Sequence, residues 1–186
     1  MIRQIIAPAA ALFLLVFSAH AQDSSRPRRL PLESDPGLWT TVEVKAFDLR
    51  VTMPAKASDV VDESSDAVES LHALTTSGTY SVVIKSLDKQ LDTRNTESLV
   101  DDVVTTVLSA NTRLLEKHDV EYEGSRGKQV TYIEGENRLF ARIFYLNGRL
   151  IVMSATFRNA DYNPQFDLWV DKFFDSFRVS VPLLIA

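Results

Sequence analysis

The chain has 186 residues, 45% of them hydrophobic and 24% charged, with 20 Lys and Arg against 25 Asp and Glu and no cysteine. That length suits one domain burying roughly 70% of its unfolded surface. The acidic balance argues against a general nucleic-acid surface, and the lack of cysteine excludes a lipobox, a disulfide framework, thiol catalysis and a cysteine-based zinc site.

Residues 1–21 read as a signal peptide. Arg3 is a short basic start, residues 5–17 form an apolar run interrupted by Pro8, and Ser18-Ala-His-Ala21 places the small residues Ala19 and Ala21 where an export peptidase reads. Cleavage is expected after Ala21, because an apolar run this short falls below the ~20 residues that span a bilayer. The mature chain loses only Arg3 among its charges and carries a formal −6. Residues 22–38 contain Ser24-Ser-Arg-Pro-Arg-Arg-Leu-Pro31, basic, rich in proline and aperiodic, and read as a flexible linker. The domain is expected over 39–186.

Val42 and Val44 alternate with charged residues, then the phase slips and Phe47, Leu49, Val51 and Met53 alternate up to Pro54. Such a slip marks a bulge or a tight bend between two strands, and proline ends the second by removing a ladder donor. Residues 55–70 are acidic with weak periodicity and read as a long loop or poor helix. Residues 71–76, the turn Ser77-Gly78 and residues 80–84 read as a hairpin, with Tyr80, Val82 and Ile84 on one side. A helix is expected over 96–110, since Leu99, Val100, Val103, Val104, Val107 and Leu108 form one helical stripe. Asn95 or Thr96 would cap it, with Glu97, Asp101 and Asp102 near the positive end of its dipole.

Residues 118–122, a turn Gly124-Ser-Arg-Gly127 and residues 129–133 suggest another hairpin. It leads into the most informative stretch, 138–157, where Asn147-Gly148 separates two apolar runs. A two-residue type I′ turn favours Asn-Gly because both central positions need positive φ. That turn sets Leu146 opposite Arg149, Tyr145 opposite Leu150, Phe144 opposite Ile151, Ile143 opposite Val152 and Phe140 opposite Ala155. One face then holds Leu139, Ala141, Ile143, Tyr145, Leu150 and Val152; the other holds Phe140, Phe144, Ile151, Met153, Ala155 and Phe157. Because successive side chains alternate between faces, both faces need apolar cover. Asn163-Pro164 then starts a helix whose Phe166, Trp169, Val170, Phe173, Phe174 and Phe177 make an aromatic stripe. Residues 178–181 suggest a last short strand, followed by an apolar tail. The expected class is α+β: a three-layer α-β-α sandwich around a mainly antiparallel sheet of about six to seven strands.

Chemistry-bearing patterns are sparse. Outside the export signal only His72 and His118 could serve a Ser-His-Asp set, and Ser125 lacks the strand-to-helix elbow of hydrolases. The Gly124 to Lys128 segment lacks the spacing and following Ser or Thr of a phosphate loop. Asp59, Asp62, Glu63 and Asp66 offer oxygen ligands without the order or central glycine of a calcium loop. The aromatic stripe has the period of a core rather than of a stacking platform.

Several short motifs, taken in order, carry a resemblance: Phe47-Asp-Leu-Arg-Val-Thr-Met-Pro54, the turn Gly124 to Gly127, Arg142-Ile-Phe-Tyr-Leu-Asn-Gly-Arg-Leu-Ile151 and Phe173-Phe-Asp-Ser-Phe-Arg178. In these the chain resembles the exported proteins of the PsbP-like superfamily, which includes the Ran-binding Mog proteins and bacterial periplasmic members. The resemblance implies an α-β-α sandwich used as a binding or accessory module, usually without catalysis. Neither the metal-binding histidines of photosynthetic members nor a charged Ran-binding patch matches positions here, so no catalytic, cofactor or metal residue is assigned. The expectation is a periplasmic or secreted accessory domain that binds an envelope protein or component. The alternatives are an envelope hydrolase with paired carboxylates and a carrier of a small apolar ligand.

Overall fold

The computed structural model describes residues 38–44, 49–56, 59–62, 68–87, 93–108 and 111–179. Ala19, Ala21, residues 22–37 of the linker and the tail after Val179 lie outside them. Among the described residues ten strands fall into two sheets. The large sheet has the order β3-β4-β5-β9-β8-β7-β6, and β1, β2 and β10 form a small one in the order β1-β2-β10. In chain order the strands are β1 Thr40–Val44, β2 Leu49–Met53, β3 Val60–Asp62, β4 Val68–Leu74, β5 Gly78–Ser86, β6 Thr112–Tyr122, β7 Ser125–Glu134, β8 Asn137–Leu146, β9 Arg149–Arg158 and β10 Arg178–Val179. Helix α1 spans Thr93–Val107 and α2 spans Gln165–Asp175. All strand pairs are antiparallel.

The β8–β9 hairpin has the register expected from Asn147-Gly148, whose φ values are 51° and 80°. Its two faces belong to two separate cores. Leu139, Ala141, Ile143, Tyr145, Leu150 and Val152 meet Leu99, Val100, Val103 and Val104 of α1. Phe140, Phe144, Ile151, Met153, Ala155 and Phe157 join the α2 stripe and the buried side of β1–β2. Phe157 lies at the centre of this second core, its ring 4.6 Å from Phe166, 5.7 Å from Tyr80 and 5.9 Å from Phe140. Each such pair adds about 0.5–1.5 kcal/mol beyond its buried area.

Four expectations need correction. The strands do not form one sheet: Val44, Leu49, Val51 and Met53 give β1–β2 one apolar side, which packs beside α2 over the large sheet instead of extending it. Part of the acidic stretch is strand, because Val60 and Val61 pair with Ala73 and His72 of β4, which itself begins at Val68. Helix α1 starts at Thr93, so Asn95 and Thr96 lie inside it and no acid occupies its first turn. The β6–β7 turn is Glu123-Gly124, with φ of 49° and 76°, and Gly127 is already in β7 opposite Phe144. There a Cβ would come 2.4 Å from the Ile143 carbonyl oxygen, which explains a glycine within a strand.

Candidate binding surface

Helix α2 begins where Asn163 Oδ1 accepts the Gln165 amide at 2.9 Å and the Asn163 carbonyl accepts that of Phe166 at 3.0 Å. Pro164 stands between them with a helical φ of −59°. Its buried stripe fixes what points outward: Leu168, 67% exposed, with Asp171, Lys172 and Asp175. The C-terminal end is tied to the small sheet by Ser176, whose Oγ accepts the Thr52 amide at 2.8 Å.

Arg142 of β8 joins this helix to the sheet. It shares a sheet face with Phe140 and Phe144, donates from Nη1 to Asp175 at 2.9 Å and from Nε to Gln129 at 2.9 Å, and lies 4.9 Å above the Phe174 ring. Two more cations rest on aromatic rings around α2: Lys172 is 4.0 Å from Trp39, and Arg138 is 3.6 Å from Tyr162. Partial burial holds the Lys172 ammonium below its usual range. The Asp171 carboxyl is pushed up, first by burial and then by Asp175, against the pull of Arg142 and His118. His118 on β6 lies 3.7 Å from Glu116. The outer face of α2 and the adjoining side of β6–β7 thus form one strip, with an apolar knob at Leu168 and mixed charges beside it.

The opposite side of the sheet uses its charges to fasten α1. Arg126 pairs with Glu97 at 2.8 Å, and Asp101 lies 3.5 Å from Lys117 and 3.8 Å from Lys128. Lys128 also pairs with Asp119, which lowers the carboxyl pKa and raises that of the ammonium. Glu97 and Asp101 therefore serve strand contacts, not the helix dipole.

The residues singled out from sequence are dispersed. His72 on β4 is hydrogen-bonded to Ser70 at 2.6 Å and to Ser81 at 2.9 Å, and both serines are buried. Ser125 opens β7 opposite Tyr122, far along the chain from that trio. Asp62 lies on β3 with Asp59 just before it, while Glu63 and Asp66 fall outside the described residues. Among the described residues no three of His, Cys, Asp and Glu converge as a metal site would require. Arg142 and its strip were missed, although an arginine between Phe140 and Phe144 on a core-facing side was a visible signal.

The two faces of the large sheet thus belong to separate apolar cores, and a mixed apolar and charged strip runs along the outer side of α2. No protein-family model matches the sequence, and no curated protein does. Among solved structures the chain is similar to cyanobacterial PsbP (CyanoP) from Synechocystis sp. PCC 6803, with a TM-score of 0.52 at 14% identity over 87% of this chain and 98% of that one. It also aligns with protein PA94 from Pseudomonas aeruginosa, with a TM-score of 0.47 at 15% identity over 77% of this chain and 98% of that one. The chain has the PsbP-like fold. Among the described residues no helix is long and apolar enough to cross a membrane.

Proposed function

We propose that this chain is an exported, non-catalytic accessory domain that binds another protein or component of the cell envelope through the outer face of α2. The observation that carries the reading is the fold shared with CyanoP along nearly the whole of that protein. The domain over 39–186 is read as three layers: α1, the large sheet, and then α2 beside the small sheet. Residues 1–21 direct export, Ala19 and Ala21 mark the cleavage site, and 22–38 tether a periplasmic or secreted domain. Two experiments test this. Intact mass of the protein recovered from the host envelope should correspond to a chain beginning at Gln22; an uncleaved chain in the cytoplasm would refute export. Crosslinking within the envelope should capture a partner that L168D and R142E release. Capture unchanged by both would refute the α2 surface.

The hydrolase reading draws on one observation, the raised Asp171 carboxyl one helical turn from Asp175. Both side chains are exposed, and Asp175 is paired with Arg142. Hydrolysis of envelope polymers abolished by D171N but not by L168D would establish it over the accessory reading. The carrier reading has less support, since the aromatic residues beneath α2 pack on one another at 4.6–5.7 Å.

A further inference from the structure

The large sheet ends very differently on its two sides. One edge is β3, of three residues, whereas the other is β6, of eleven. Among the described residues no strand pairs with the outer side of β6, and residues 113–119 are all exposed. Leu114 and Leu115 are 46% and 37% exposed. An edge of this length offers a row of backbone donors and acceptors to another strand. The ladder to β7 shifts register between Leu114 and Glu116, so the regular part of the edge is the seven residues after that bulge.

The charges along this regular part are complementary in the antiparallel register centred on His118. We infer that β6 pairs with β6 of a second copy of this chain, antiparallel about His118, continuing the large sheet from one molecule into the next. In that register Lys117 stands opposite Asp119 of the second copy, and the pair occurs twice by symmetry. Both residues lie on the α1 side, since Lys117 pairs across from Val130 and Asp119 from Lys128. Lys128 already holds Asp119, and Asp101 already holds Lys117. Pairing therefore produces an alternating row: Lys128, Asp119, then Lys117 and Asp101 of the second copy. Glu116 comes to lie diagonally across from His118. Moving the axis by one residue in either direction sets Lys117 against Lys117 or Asp119 against Asp119. Opposed like charges destabilise a cross-strand pair, while opposite charges stabilise it. The bulge confines regular pairing to the residues after it, and the central like-charge pair of each neighbouring register leaves this register favoured.

This self-association is independent of the envelope reading and is tested without any partner. Sedimentation of the purified chain should show a concentration-dependent dimer. K117E and D119K each replace two attractive pairs by two repulsive ones and should weaken the dimer about tenfold or more. The double exchange K117D/D119K restores opposite charges across the axis and should restore the dimer. Circular dichroism on each variant checks that the fold is kept. A wild-type chain that stays monomeric at high micromolar concentration would overturn the inference. A dimer indifferent to both single reversals, or a double exchange no better than the singles, would overturn it too.

Discussion

Replacing Phe173 with alanine tests whether α2 is an integral cover of the sheet. Phe173 is wholly buried, with its ring 5.3 Å from Tyr80 of β5 and 5.5 Å from Phe174. Truncation removes most of the ring's transfer energy and leaves a cavity among rigid neighbours, and such changes cost about 3–5 kcal/mol. A domain of this size typically has 5–15 kcal/mol in all, so the variant should lose a large share of its stability. At roughly 2–4 °C per kcal/mol, the midpoint should fall by about 6–20 °C. Thermal and urea unfolding followed by circular dichroism would measure this, with L168A as control. Leu168 stands on the outer side of the same helix and is 67% exposed, so its truncation should change stability by under about 0.5 kcal/mol. If F173A cost less than about 1 kcal/mol, or no more than L168A, α2 would not be packed on the sheet as described and the arrangement of the second core would be wrong.

Three further outcomes are expected. G127A should cost about 1–3 kcal/mol, because its Cβ would press on the Ile143 carbonyl and on Phe144 Cβ at 2.8 Å; chemical denaturation measures it. Y122F removes a hydroxyl that accepts the Val179 amide at 3.2 Å and donates to the Phe177 carbonyl at 3.3 Å. It should cost about 1 kcal/mol and speed hydrogen exchange at Val179 more than in the large sheet. Asp171 and Asp119 should respond to pH with opposite signs. The folded chain holds the Asp171 proton more tightly than the unfolded chain, so this group favours folding below the usual aspartate pKa, about 3.9, and that contribution is lost as pH rises through the folded value. D171N should therefore stabilise at neutral pH and be without effect in acid. The lowered Asp119 contributes above the usual value and loses that contribution as pH falls through its folded pKa, so D119N should destabilise at neutral pH only. Urea midpoints at neutral and acid pH distinguish the two.

What could be read beforehand follows from how local each signal is. Asn147-Gly148 fixed a register because a two-residue turn leaves no freedom in pairing, and from that register both faces of β8–β9 followed. The stripe from Phe166 to Phe177 identified α2 for a similar reason, the period of one helix being complete within its own residues. Joining one hairpin to another is not encoded so locally. Nothing in Val42 to Met53 distinguishes a strand pair that extends a sheet from one that lies over it, so the small sheet was not foreseen. β3 is only three residues long, too short for any period to show against its acidic neighbours. The Arg142 strip depends on α2 crossing above β8, a tertiary relation. Yet charged residues alternating with Phe140 and Phe144 on an inward side already asked for a partner there. His72 and Ser81 meet through the β4–β5 register, which the turn after Leu74 sets.

The strand order has a consequence for when the domain can be completed. β9 lies between β5 and β8, and its ladder to β5 joins Gly78 with Phe157 and Ser86 with Arg149. Until the chain has been made as far as Arg158, β5 lacks its neighbour on that side and its nine residues remain an open template. Closing loops of this length before any pairing rewards them is slow. A chain with this order reaches its native state late, so the interval between synthesis and closure is when it most depends on being kept from premature strand pairing.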